Sequence, residues 1–325
     1  MIIKIVMSLI ISVGVYLGVA VLLITVGKPT QVVPNENNLK FSELMMDYKE
    51  LPELQKYHAR DGEELMFRYY PSASDKVLIL LHGSGYHSRY FMTLANFIST
   101  RGLAHVYTPD LRGHGPSPRH RGDVDYIGQF EDDIADLLAI LRQKHPHAKM
   151  IVGGHSSGGG LAIRFAGSCY GNEADAYVLL SPFLKYKAPT TRPQSGGWAQ
   201  PNIKRIIGLS MLNAVGVRRL NHLPVIHFNM PETVRDGTET LSYTYRLNAA
   251  FAPKDYEKDL RSIQKPLLVV AGTVDEAFYA DRFGPLISQY THAQVELLEG
   301  VTHMGVVVGP EVQPVIKNWL EKLGV

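Results

Sequence analysis

Apolar positions along this chain fall into three patterns, and each predicts a different kind of element. The first is a run of 22 residues without a charge, Ile5 to Val26, flanked by Lys4 and Lys28. As a helix rising 1.5 Å per residue it extends about 33 Å, enough to cross a hydrocarbon core of roughly 30 Å. The second is a series of short apolar runs bounded by turn residues: Lys76–Leu81, Ala104–Thr108, Met150–Val152 running into Gly153, Tyr177–Leu180, Pro266–Gly272 and Gln294–Leu298. Such runs read as strands, that at Pro266–Gly272 as a buried one, while Tyr90–Arg101, Ile127–Lys144 and Leu161–Ala166 between them carry helical spacing. Alternating strands and helices predict an α/β chain with a mostly parallel central sheet, flanking helices and right-handed crossovers. Upstream, Gln55–Arg60 and Glu64–Tyr70 flank Asp61-Gly62, the signal of a hairpin that opens the sheet. The third pattern is a stretch without one. From Phe183 to about Ser262, roughly 80 residues carry Pro189, Pro193, Pro201, Pro224, Pro231 and Pro253 and no clear strand alternation. So long an insertion between two core strands predicts a cap over a site.

These patterns divide the chain into a membrane anchor or signal segment (1–28), a linker and N-terminal extension (29–54), a first part of the core (55–182), the cap (183–262) and a second part of the core (263–325). The polar stretch Pro29 to Asn38 reads as the linker between bilayer and domain. A cleaved signal peptide competes with the anchor, because Gly18-Val19-Ala20 and Thr25-Val26-Gly27 are small-x-small triplets. Against cleavage, the apolar stretch exceeds the roughly 7 to 15 residues of a signal core, and a cut after Ala20 leaves Val21-Leu22-Leu23-Ile24 on the mature end. The expectation is a single-pass anchor in the cell envelope with the domain outside the cytoplasm, since a short positive amino-terminal tail tends to stay inside. Secretion after cleavage is the alternative.

Composition narrows the chemistry by exclusion. A length of 325 residues with 45% hydrophobic content allows one large single-sheet domain. Lys plus Arg at 33 against Asp plus Glu at 31 gives a net charge of +2, without the basic stripe that a nucleic-acid partner requires. The single cysteine, Cys169, excludes an internal disulfide and a Cys-rich zinc cluster, and no His-Glu-x-x-His is present. No metal or organic cofactor is implied. Cys169, beyond Ser156 on the predicted helix, is expected to pack.

Candidate chemistry starts where the run at Met150 stops in glycines. Gly154-His155-Ser156-Ser157-Gly158 matches G-x-S-x-G, in which Gly154 and Gly158 let the backbone make a strained strand-to-helix turn that holds the Ser156 hydroxyl out above a sheet. The same glycines fail the dinucleotide spacing, because His155 and Ser156 occupy the second glycine site, and they lack the Gly-Lys-Ser/Thr of a P-loop. Downstream, Thr273-Val274-Asp275 puts a carboxylate just past the end of one strand, and Glu299-Gly300-Val301-Thr302-His303 puts a histidine in the loop after the next. Taken singly, Asp275 reads as a capping residue and His303 as one of 13 histidines. Together they follow Ser156 in the order serine, acid, base. After Lys76–Leu81 comes His82-Gly83-Ser84-Gly85, a loop suited to supply one backbone N–H to a developing oxyanion, that of Ser84, with Ser157 supplying the other. His82 reads as structural.

With Asp110-Leu111-Arg112-Gly113-His114-Gly115 added, the chain resembles the α/β-hydrolase superfamily. The His82–Tyr90 block, the Arg-Gly-His-Gly loop and Arg121-Gly122 are most similar to the monoglyceride lipase and lysophospholipase group, which also includes serine aminopeptidase-like members. The similarity runs from about residue 56 to about residue 322. It implies ester hydrolysis and structural roles for Asp110, Arg112 and His114. Ser157 stands where that group usually has methionine, which changes the wall of the acyl pocket. Ile206, Ile207, Leu209, Met211, Leu212, Phe228 and Met230 in the cap either line such a pocket or pack the cap onto the core.

The expected reaction is attack of Ser156 on an ester of lipid type, a monoacylglycerol or lysophospholipid, with His303 as base and Asp275 orienting it. Short-chain esters, thioesters, acyl transfer and peptides share this triad. A non-catalytic, membrane-tethered binding protein is the alternative of another class. The partners expected are a small or lipid ester and the membrane.

Overall fold

The apolar runs become the strands of one mixed sheet in the computed structural model, which describes residues 2–27 and 39–323. The linker expected over residues 29–38 lies outside the described residues. In chain order the core contains β1 (Gln55–His58), β2 (Glu64–Tyr70), β3 (Lys76–Leu81), β4 (His105–Asp110), β5 (Lys149–His155) and β6 (Ala176–Leu180). The capping segment follows with β7 (Ala199–Pro201), β8 (Pro224–Phe228) and β9 (Ser242–Thr244), and the core resumes with β10 (Leu267–Gly272) and β11 (Gln294–Leu298). The eight-stranded sheet has the order β1-β2-β4-β3-β5-β6-β10-β11. Strands β1 and β2 form the expected hairpin and run antiparallel, as does β2 on β4, while every later neighbour is parallel. Strands β3, β5, β6 and β10 are buried on both faces, which is why they read as continuous rather than alternating apolar runs.

Helices among the described residues are α1 (Ile2–Val26), α2 (Met92–Thr100), α3 (Gln129–Lys144), α4 (Ser157–Ala166), α5 (Ile203–Ala214), α6 (Tyr245–Phe251), α7 (Tyr256–Arg261), α8 (Phe283–Ile287), α9 (Gly305–Val308) and α10 (Val312–Lys322). Helices α2, α9 and α10 form one packed group, and α3, α4, α6 and α7 another. Helix α3 shows the amphipathic logic: Phe130, Ile134, Leu137, Leu138 and Leu141 are buried, Glu131 and Asp132 sit in its first turn, and Arg142 and Lys144 complement its carboxyl end.

Three expectations need correction. The insertion read as a cap, in which no strand alternation is legible, holds a three-stranded antiparallel sheet of β7, β8 and β9. Two of these strands are three residues long, too short for alternation to register. Cys169 does not pack; helix α4 ends at Ala166 and the thiol lies exposed in the loop beyond it. Finally, the apolar residues of α5 turn away from the candidate site. Leu209 and Leu212 form a small separate core with Ala20 and Ile24 of α1, joined by Val225 and Tyr245, while Ile206 and Met211 flank it.

Helix α1 is therefore docked as well as apolar. Tyr16 donates its hydroxyl to the Met211 carbonyl at 3.0 Å, and Arg205 Nε donates to the Ile24 carbonyl at 3.3 Å, so α1 and α5 run antiparallel. Gly208 permits this contact: a Cβ there would lie 2.6 Å from the Ala20 carbonyl oxygen. Its remaining faces carry exposed apolar side chains such as Leu9, Ile10, Val21 and Leu22. By length and composition α1 suffices to cross a bilayer or to serve as a signal sequence.

Candidate active site

Strand β5 ends at His155, and the chain turns at Ser156 with φ 55° and ψ −120° before entering α4. A non-glycine residue at positive φ costs about 1–3 kcal/mol and persists where its surroundings fix it. Three hydrogen bonds do so here: Ser156 N donates to the Leu180 carbonyl at 2.9 Å, and Phe183 N and Gly160 N donate to the Ser156 carbonyl at 2.8 and 3.1 Å. The turn also needs Gly158, where a Cβ would lie 2.0 Å from the Leu81 carbonyl oxygen. The spacing of the motif is thus a packing requirement between β3 and α4.

Asp275, in the turn after β10, and His303, in the loop after β11, come together as their order in the chain predicts. His303 Nδ1 donates to Asp275 Oδ2 at 2.9 Å, and both side chains are about 1% exposed or less. The other oxygen, Asp275 Oδ1, accepts Ala277 N and Phe278 N at 2.8 and 2.9 Å, which fixes the carboxylate plane. With Nδ1 engaged as donor, the histidine's Nε2 is left as the acceptor. Ser156 and His303 line the same cavity of about 70 Å³, with Ser84, Ser157 and a largely apolar wall that includes Phe183, Trp198, Ile226, Phe228, Phe251 and Phe278. Of the apolar residues Ile206, Ile207, Leu209, Met211, Leu212, Phe228 and Met230, read as lining a pocket or as packing, Phe228 is the one that lines this cavity.

Ser84 and Ser157 face each other across it, their hydroxyls 2.7 Å apart. Neither backbone N–H has a partner among the described residues. Such unpaired, preorganised donors are what a developing oxyanion requires. Two tyrosines, Tyr90 of the His82–Tyr90 block and Tyr243, to neither of which the sequence assigns a role at the site, hold the loop on either side of Ser84. Tyr90 accepts Gly83 N–H at 2.7 Å, and Tyr243, from β9 of the cap, accepts Gly85 N–H at 2.6 Å. Each hydroxyl then donates to a buried imidazole, Tyr90 to His155 Nδ1 at 3.1 Å and Tyr243 to His114 Nε2 at 2.7 Å. Each imidazole donates onward to a carbonyl: His155 Nε2 to His303 O at 3.0 Å, and His114 Nδ1 to Arg112 O at 3.0 Å. Burial pushes both imidazoles well below their ordinary pKa, which keeps them neutral and able to accept as well as donate. His155, the variable residue of the motif, therefore links the Ser84 loop, the Ser156 turn and the His303 loop in one chain of hydrogen bonds.

The other residues of the motif blocks are engaged in hydrogen bonds within the fold. His82 donates from Nδ1 to Gly83 O at 2.8 Å and accepts Leu111 N–H at 3.0 Å, and burial pushes its pKa down to about 4. Asp110 accepts Ser88 N–H at 2.9 Å; burial works to raise its pKa, but His87 and this bond hold it well below the usual carboxylate range. Arg112 pairs bidentately with Asp133 at 2.9 and 2.7 Å and also reaches Asp61 and Glu63.

The family model described as Serine aminopeptidase, S33 (Hydrolase_4) matches residues 72–305. Human monoglyceride lipase is 27% identical over 252 residues, 75% of this chain and 79% of that protein. A monoacylglycerol lipase of Mycolicibacterium smegmatis is 36% identical over 106 residues, 33% of this chain and 37% of that protein. Among solved structures, a soluble variant of monoglyceride lipase from Saccharomyces cerevisiae superposes with a TM-score of 0.61 at 18% identity, covering 89% of this chain and 99% of that one. The sheet order, the strained serine turn and the span of the family match lead to one conclusion: the chain belongs to the serine aminopeptidase S33 family of α/β-hydrolases and is monoglyceride lipase-like within it.

Proposed function

We propose that this protein is a serine hydrolase that cleaves carboxylic esters of lipid type, such as monoacylglycerols or lysophospholipids, through an acyl-enzyme. The observation that carries the reading is the meeting of Ser156, the His303–Asp275 pair and the two free N–H groups of Ser84 and Ser157 in one cavity with an apolar wall. Ser156 Oγ attacks the ester carbonyl carbon while His303 Nε2 takes its proton. The carbonyl oxygen, now an anion, accepts from Ser84 N–H and Ser157 N–H. His303 returns the proton to the departing alcohol oxygen, and the acyl group remains on Ser156. Water then adds by the same route, releasing the acid. Asp275 holds the tautomer and stabilises the imidazolium.

Helix α1 fits a retained single-pass anchor better than a cleaved leader. A cut after Ala20 would remove Tyr16 and Leu17 from the face of α5 and leave Leu209 and Leu212 partly uncovered. The amino-terminal mass of protein extracted from membranes tests this: an intact α1 supports the anchor, and a new terminus at Val21 or Lys28 supports secretion. The kinship to lipases named for monoglycerides supports a substrate that partitions into membranes.

Hydrolysis of an acyl series, from acetyl esters through monoacylglycerols to lysophospholipids, by the full chain beside Ser156→Ala tests the reaction. Turnover that rises with chain length and vanishes in the variant supports it. Activity confined to acetyl and butyryl esters makes the protein a short-chain carboxylesterase. A folded protein that neither turns over nor accepts a fluorophosphonate at Ser156 is the non-catalytic tethered protein instead.

A further inference from the structure

Residues 39–44 precede the segment matched to the family, yet they build part of the wall around Ser156. Leu39, Phe41 and Leu44 are 5%, 3% and 3% exposed. They close a second cavity at Ser156 and His303, of only about 10 Å³ against about 70 Å³ for the chamber beneath the cap. The partition between the two is Trp198. Its ring centroid lies 4.9 Å from that of Phe41 on one side and 4.9 Å from that of Phe228 on the other. The strap is also tied to the histidine loop, because Thr302, next to His303, donates its hydroxyl to Glu43 Oε2 at 2.6 Å.

An ester in reaction at Ser156 needs room for two groups, its acyl chain and its alcohol. The larger apolar chamber suits the chain. The smaller one, with space for about a single water molecule, is then left for the alcohol. We propose that Leu39, Phe41 and Leu44, together with Trp198, are specificity-determining residues that select esters of small alcohols. This rests on the ester-hydrolase reading and narrows it: methyl esters are preferred over glyceryl esters, and glyceryl esters over those of glycerophosphocholine. Lysophospholipids are thereby the poorest of the lipid esters.

The experiment uses the full chain in detergent micelles and measures kcat/KM in two series. One holds the octanoyl group and varies the alcohol from methanol through glycerol to glycerophosphocholine; the other holds the methyl ester and lengthens the acyl chain. Phe41→Ala and Leu44→Ala are expected to reduce the methyl-to-glycerophosphocholine preference by about tenfold or more, the scale on which pocket size discriminates. The acyl-length profile should stay as in the wild type. Phe41→Leu, which keeps an apolar side chain in the fold, should give an intermediate preference. An alcohol ranking unmoved in folded variants overturns the inference, as does a change that falls on the acyl series. A wild-type protein that cleaves none of these esters overturns the ester reading along with it, whereas an active enzyme with an unmoved ranking overturns the strap alone.

Discussion

Ser84 owes its position to atoms far away in sequence. The Tyr243 hydroxyl that accepts Gly85 N–H comes from the cap, 158 residues on, and ends on His114. Tyr243→Phe removes both bonds without removing the ring, leaving a buried N–H unsatisfied at a cost of about 1–3 kcal/mol. If the loop relaxes by that amount only when charge develops, kcat should fall about 10- to 100-fold with little change in KM. Steady-state kinetics on one ester decides it; a rise in KM at constant kcat would mean that Tyr243 serves binding rather than the oxyanion site. Asp275→Asn should be more severe, lowering kcat by about 10⁴, because an amide at Oδ2 favours the wrong imidazole tautomer. Turnover within tenfold of the wild type would remove Asp275 from its assigned role. At this scale the sequence was legible where function forces a local pattern: Ser156, Asp275 and His303 each follow a strand end. It marked Tyr90 only as part of a motif block and Tyr243 only as a cap residue, and was silent on Trp198, because their roles arise only when loops from separate parts of the chain meet.

At the level of elements, continuous apolar runs located β3, β5, β6 and β10, since strands buried on both faces carry an unbroken signal, whereas the edge strand β11 buries only Leu298. The cap gave no such signal, because β7 and β9 are short and each has a single buried residue. The docking of α1 on α5 was equally invisible. Both helices are apolar on several sides, so periodicity cannot say which face meets which partner. That contact is testable through Gly208. A side chain there meets the Ala20 carbonyl at 2.6 Å and the Ile24 side chain at 2.8 Å, and overpacking of this kind costs about 1–3 kcal/mol. Gly208→Val in the full chain should lower the thermal midpoint by a few degrees while Ser156 remains reactive to a fluorophosphonate. An unchanged midpoint would show that α1 contributes nothing through α5.

For the whole molecule, the imidazoles of His82, His114 and His155, whose pKa burial depresses, make stability depend on pH. Each has a folded pKa depressed by burial, so the unfolded chain binds more protons below pH about 6.5. Their contribution is complete above that value and is lost as pH falls toward the folded values. For His82, with a folded pKa of about 4, the loss amounts to roughly 3 kcal/mol. The urea midpoint of the full chain should hold steady between pH 8 and 7 and decline from pH 6.5 to 4. A midpoint flat down to pH 5 contradicts the buried neutral imidazoles.

Trp198 carries a further consequence. The chain has two tryptophans, and the other, Trp319, is buried in α10. An indole stacked on Phe228 and packed at a tilt against Phe41, lining both chambers, is a built-in optical probe of which one is occupied. In Trp319→Phe, emission reports on that partition alone, so an acyl chain entering beneath the cap and an alcohol entering beneath the strap should each leave a separate spectral shift before any bond is broken.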